Sequence, residues 1–224
     1  MNQARDDNSC LRLWDLPTRL FHWLLVAAVL TSFLSMYVFD ATDVHAWSGY
    51  AVMSLVLFRL IWGVIGSRSA RFTDFVPGPR TLLAYLRAGD AGRVRLAHNP
   101  LGALSVLALL ATLTVQWGTG LFADDDIFFS GPLAGMVSGD TRTLLTAIHH
   151  DSANVLLGLI GLHLLAIAFH AWIKHQNLVK PMITGRRCLR PGEVADRGQI
   201  EFAPWWRFVI AAVVAVAITV AVIS

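Results

Sequence analysis

Histidine is the residue type in this chain best suited to chemistry. Of eight histidines, His22, His163 and His170 lie inside strongly apolar runs, and His45 and His149 stand at the starts of such runs. An ionisable side chain within a membrane-length apolar run is costly to keep there and by default points to function. The competing reading, for any one of them, is a hydrogen bond to a neighbouring helix or a position at headgroup depth. Spacing separates the two. His149 and His163 are 14 residues apart (149 to 163), which on one helix is about 40° around the axis and roughly 21 Å along it. They share a face, one near each membrane surface, as two stacked cofactors would require.

Each such cofactor needs a second axial ligand at matching depth. His45, at the outer start of the second apolar segment, is level with His149. His22, about a turn and a half into the first, is level with His163. Two pairs at two depths result, the arrangement expected for two b-type haems. A low-spin haem with two imidazoles suits electron transfer because both axial positions are filled and little moves with redox state. Its potential is set by ligands, hydrogen bonds and burial. Haem propionates call for cationic partners: Arg19 lies one turn from His22, and Arg59 lies 14 residues inward of His45 (45 to 59). The alternative for Arg59 is snorkelling to the headgroups. Gly49, Gly158 and Gly161 admit a flat ring against the backbone, or equally a close helix contact. His150 adjoins His149 but is about 140° from His163 around the helix, which favours His149. His170, on the same face as His163, competes as inner ligand; a propionate or quinone contact fits it equally well. His98 and His175 read as solvated loop residues.

The elements that position these groups follow from hydropathy. Hydrophobic residues make up 55% and charged residues 15%, against about a quarter charged in soluble domains. Five apolar stretches, 17–39, 46–65, 100–122, 144–173 and 205–223, reach the roughly 20 residues that span a bilayer core. The predicted class is an all-α integral membrane protein: a four-helix bundle plus a fifth, C-terminal membrane helix. Pro17, Pro100 and Pro204 stand at or just before helix starts. Tryptophans near the predicted ends (Trp14, Trp47, Trp62, Trp117, Trp172, Trp205, Trp206) suggest an interfacial belt. The segments divide as 1–13 (cytoplasmic N-terminal segment), 14–187 (haem domain), 188–203 (cytoplasmic linker) and 204–224 (additional helix).

Basic residues fix an expected orientation. Arg5, Arg12 and Arg19 flank the first segment, six arginines occupy 66–99, and Lys174, Lys180, Arg186, Arg187, Arg190 and Arg197 follow the fourth segment. The two other connections hold only Arg142 against Asp40, Asp43, Asp124, Asp125, Asp126 and Asp140. An N-terminus in the cytoplasm and a C-terminus in the periplasm, across a bacterial inner membrane, is the expectation. The polar N-terminus does not read as a cleavable signal peptide. Cys10 and Cys188, distant in sequence, belong to no C-x-x-C-H motif, which excludes covalent c-type haem in this chain. A net charge of +3 spread over short loops gives no nucleic-acid surface.

Five motifs in order carry a family resemblance. W-D-L-P-T-R-L-F-H-W from Trp14, H-A-W-S-G-Y from His45, F-R-L-I-W-G from Phe58, H-N-P-L-G-A from His98 and the fourth-helix pattern His149 to His163 resemble bacterial di-haem membrane cytochromes b. These are the prokaryotic cytochrome b561 type and the related b-type subunit of nickel–iron hydrogenases. The similarity covers roughly 11–187. It implies a four-helix bundle carrying two haems b, with His22, His45, His149 and His163 as iron ligands. K-H-Q-N-L-V-K-P-M-I-T-G-R-R from Lys174 also resembles the family's cytoplasmic tail, while the fifth helix lies outside the four-helix core.

The expected function is transfer of electrons between the membrane quinone pool (ubiquinone or menaquinone) and a periplasmic redox partner, a c-type cytochrome or hydrogenase-like enzyme. Asp124, Asp125 and Asp126 can steer a basic partner or form an ordinary solvated loop; Phe128 and Phe129 beside them can dip into the interface. A superoxide oxidase passing electrons to quinone is the alternative, disfavoured by acidic outer loops that repel an anion. A metal transporter, a third reading, would be expected to recruit carboxylates away from the helix ends, where hydropathy places none.

Overall fold

The computed structural model describes residues 10–88, 99–125, 129–188 and 201–224. Its elements are β1 (Cys10–Arg12), α1 (Leu16–Tyr37), α2 (Thr42–Ile65), α3 (Phe72–Phe75), α4 (Pro79–Ala88), α5 (Pro100–Gly120), α6 (Gly139–Trp172), α7 (Val179–Thr184), β2 (Arg186–Cys188) and α8 (Trp205–Ile223). Helices α1, α2, α5, α6 and α8 are long and apolar enough to cross a bilayer, so the chain is an integral membrane protein.

Local chemistry sets the helix starts. The Asp15 carboxylate accepts from the Thr18 amide at 2.8 Å, and Pro17 occupies the first turn of α1. Asn99 caps α5 in the same way, its Oδ1 accepting from the Gly102 amide at 2.6 Å ahead of Pro100. Ser138 caps α6 through the Thr141 amide. Helix α6 therefore begins at Gly139, five residues before the apolar run does, because a capped first turn can be polar. His149 accordingly lies ten residues inside α6 rather than at its start. Asp151, exposed, lies twelve residues inside, which corrects the expectation that no spanning helix carries a carboxylate away from its ends.

Helix α2 is central: α1, α5 and α8 all pack on it, while α5 and α6 form a second antiparallel pair. Phe58 and Trp62 stack at 5.9 Å, and Phe208 of α8 meets them edge-on at 5.7 and 6.4 Å. Ala211, Ala215 and Thr219, four residues apart, form the buried stripe of α8. Arg207 Nη1 donates to Ile65 O at 3.2 Å, and the Ala203 amide to Ser67 Oγ at 3.0 Å, fastening α8 to the end of α2. The fifth helix thus covers α2.

Trp62 is only 1% exposed, and Trp14 is buried too; neither belongs to an interfacial belt. Trp62 Nε1 instead donates to Asp15 Oδ2 at 3.1 Å, so the W-D-L-P and F-R-L-I-W-G motifs meet through one hydrogen bond. Trp47, Trp172, Trp205 and Trp206 are exposed, as a belt requires. Strands β1 and β2 pair antiparallel with Cys10 opposite Cys188, and those two cysteines form a disulfide. Separated by 178 residues, they carry no local signal of that pairing.

Candidate functional site

Of the four histidines, two are in ring contact and the other two lie near enough to interact through charge. His45 of α2 and His149 of α6 face each other with ring centroids 6.0 Å apart and planes at 89°. His22 of α1 and His163 of α6 lie within electrostatic reach of one another. Helix α6 packs along α5, and its backbone makes no extensive contact with α1 or α2. The His45 and His149 rings therefore meet edge-on through their side chains rather than through close packing of α2 and α6.

Hydrogen bonds fix the state of the His45–His149 couple. His45 Nδ1 donates to Ser32 O at 3.0 Å, with Ser32 Oγ at 3.1 Å. His149 Nδ1 donates to Gln116 O at 2.9 Å. A carbonyl oxygen only accepts, so both rings must carry their proton on Nδ1 and keep the Nε2 lone pair. This is the tautomer and support that an imidazole ligand needs. Gln116 also sets its side-chain amide 3.2 Å from His149 Nε2, with its Oε1 accepting from Ser152 Oγ at 2.5 Å. Gln116 must release that nitrogen before it can ligate a metal. Gly120 is required beside it: a Cβ there would lie 2.9 Å from His149 Cε1.

The second couple is held differently. His22 is packed edge-on against Trp23 at 5.0 Å, and its Nδ1 is buried without a hydrogen-bond partner among the described residues. Arg19 Nη1 donates to Ile183 O at 2.6 Å, while its Nε is buried and has no hydrogen-bond partner among the described residues. Arg59 is buried, near the Asp15 charge, with its guanidinium over Phe72 at 4.9 Å and Phe75 at 5.8 Å; Nη1 has no hydrogen-bond partner among the described residues. It does not snorkel to the surface. Phe72 reaches it by lying on Gly63, where any Cβ would collide with the ring.

His170 stands apart from both couples, its Nε2 3.5 Å from Asn99 Nδ2 and its Nδ1 3.3 Å from Gln176 Oε1. His150 is exposed, with its ring 6.2 Å from that of His149. His175 adopts a left-handed backbone, φ 50°. His98, Asp126 and Phe128 lie outside the described residues. Asp124 is paired with Arg142 at 3.0 Å, and Asp125 accepts from the Phe129 amide at 2.8 Å.

These residues fit haem b. Each couple offers two nitrogen donors, the number a porphyrin iron lacks, and no group of three or more His, Cys, Asp or Glu able to hold a bare ion occurs among the described residues. A Cβ added at Gly49, Gly158 or Gly161 would meet nothing within 4 Å. Those glycines therefore border open space and do not mediate close helix contacts. The unpartnered nitrogens of Arg19 and Arg59 suit carboxylates. Sequence reasoning missed Gln116, Ser152 and Ser32; the available signal was a polar amide and hydroxyls inside otherwise apolar helices.

Membrane-spanning helices that bring part-buried imidazoles together in pairs are what a b-type membrane cytochrome, an electron-transfer protein, requires. The family profile of prokaryotic cytochrome b561 matches residues 13–185, and the chain belongs to that family. No curated protein matches the chain significantly.

Proposed function

We infer that the chain conducts electrons across a bacterial inner membrane through two haems b, one held by His45 and His149 and the other by His22 and His163. The facing pair His45–His149, with each Nδ1 committed to a carbonyl, carries this reading. Haem bound at each couple supplies one-electron chemistry. His45, His149 and their carbonyl acceptors hold the iron-facing nitrogens in a fixed direction, so little reorganisation accompanies a change of charge. Arg19 and Arg59 supply cations near the His22–His163 level, where propionates need them. The haem domain is 14–187, with α8 an addition that covers α2.

The basic end is cytoplasmic and the opposite, acidic end periplasmic, by the loop charges. Quinone meets the protein in the membrane; His170, between Asn99 and Gln176, offers it a hydrogen-bonding group. A periplasmic c-type cytochrome or other redox enzyme exchanges electrons at the acidic end. Oxidation of superoxide there is the lesser reading, since Asp40, Asp43 and Asp140 repel an anion.

Haem per polypeptide, from pyridine haemochrome spectra of purified protein, tests the ligand set. Wild type is expected to hold two, and His45→Ala and His163→Ala one each. A folded variant that keeps both would remove its histidine from the set, and a wild type without b-type bands would end the reading.

A further inference from the structure

At the basic end, the segment 182–188 is tied to the residues just before α1 and to Arg19 and Trp23, which stand around His22 on its first turns. The Leu13 and Trp14 amides donate to Gly185 O at 2.7 and 3.2 Å. Arg19 holds Ile183 O, and Trp23 Nε1 donates to Met182 O at 3.3 Å. Arg19 and Trp23 flank His22 in sequence. Gly185, at φ 75°, lets Trp14 O and the Arg19 guanidinium close in. The Cys10–Cys188 disulfide locks this assembly across a strand pair of three residues each, too short to persist alone.

The basic loops put this disulfide in the cytoplasm, an inference that rests on the orientation proposed above. Thiols there are kept reduced, and disulfides that do form are usually transient, catalytic or sensing. Cys188 is exposed, so an attacking thiolate can reach its sulfur.

We propose that Cys10 and Cys188 form a reversible thiol–disulfide switch that couples the cytoplasmic thiol poise to the His22 level of the electron path. One thiolate of a small dithiol or thioredoxin-class dithiol attacks Cys188 Sγ, the S–S bond breaks, and Cys10 leaves as a thiolate that takes a proton. The second thiol of the reductant then displaces Cys188. Two electrons pass from the dithiol to the cysteine pair, the reductant becomes a disulfide, and both cysteines end as thiols. Oxidation runs the same steps in reverse with a disulfide as acceptor. In the thiol state β1 and β2 separate, and Arg19 and Trp23 lose their carbonyl partners on α7.

The test equilibrates full-length, haem-loaded protein with reduced and oxidised dithiothreitol, then traps thiols by alkylation and counts them by mass. The thiol:disulfide ratio is expected to change about tenfold for each ~30 mV of poise, as a two-electron couple does. Amide exchange at Leu13 and Trp14 should rise on reduction, and one haem midpoint should move. Cys10→Ser and Cys188→Ser should bind haem normally yet show no response to poise. A bond that resists excess dithiol, cysteines that never oxidise, or a thiol change without altered exchange or midpoint would each overturn the switch. The exchange readout does not depend on haem content, so a protein found to lack haem would refute the proposed function and leave this result standing. Labelling of reduced spheroplasts by an impermeant maleimide would refute the orientation, and the cytoplasmic switch with it.

Discussion

Replacing Gly120 with alanine tests whether the backbone at the end of α5 sets the position of the His149 ligand nitrogen. The new methyl would stand 2.9 Å from His149 Cε1 and 3.2 Å from Nδ1, whereas carbon contacts settle near 3.5–4.0 Å. The imidazole must recede by roughly 0.6 Å to restore that distance. Its bond to Gln116 O, 2.9 Å at rest, then stretches to about 3.5 Å, beyond useful range. Losing that bond costs about 1 kcal/mol, and crowding a packed site costs about 1–3 kcal/mol. Alanine in place of glycine returns up to ~1 kcal/mol of helix stability. The net is about 1–3 kcal/mol against the ligating position, or roughly 5- to 150-fold in its occupancy. Haem titration of the purified variant is expected to show one site weakened by that factor, filling only after the first equivalent of haem is bound. Gly135→Ala, where a Cβ meets nothing within 4 Å, is the control and should titrate like wild type. Two undisturbed sites in Gly120→Ala would show that His149 is not the ligand held at this point.

Three further substitutions probe the surroundings. Gly63→Ala puts a methyl into the Phe72 ring and should lift α3 from α2, lowering the thermal midpoint in detergent by the equivalent of about 1–3 kcal/mol; an unchanged midpoint would mean that Phe72 moves freely. Trp62→Phe removes the donor to a buried Asp15 carboxylate and should cost about 1–3 kcal/mol, read by the same melt, whereas a neutral result would show that water replaces the indole. Gly49→Ala meets no protein atom, so the haem-free protein should gain up to ~1 kcal/mol in stability while haem loading falls. Equal loading would place the ring elsewhere.

Much of the site was readable from periodicity. Helix rise converts sequence distance into depth, which is how the 14-residue step on α6 placed His149 level with His45, its neighbour in the fold. The starts of helices were less readable: Ser138 to Thr143 looks like a loop on hydropathy, yet a serine cap supports a water-exposed first turn. Trp62 sits at a helix end, but its depth along the helix does not report which way it faces, and it turned inward to Asp15. The Cys10–Cys188 pairing depends on two tails converging at one end of the bundle, information that no local window contains. Gln116 and Ser152 had a signal in their polarity, but nothing in the sequence says that the two meet.

Helix α6 is 34 residues long, about 51 Å at 1.5 Å per residue, against a hydrocarbon slab of about 30 Å. Some 20 Å of it must stand clear of the lipid tails unless it tilts. With Trp172 anchored at the basic interface, His163 lies about 14 Å deep, close to the midplane and not near a surface as the spacing alone suggested, and His149 about 35 Å along, past the far edge of the oily layer. The two couples then occupy unlike surroundings: one is insulated, and the other stands at a threshold where a water-borne protein could come within a short hop of it.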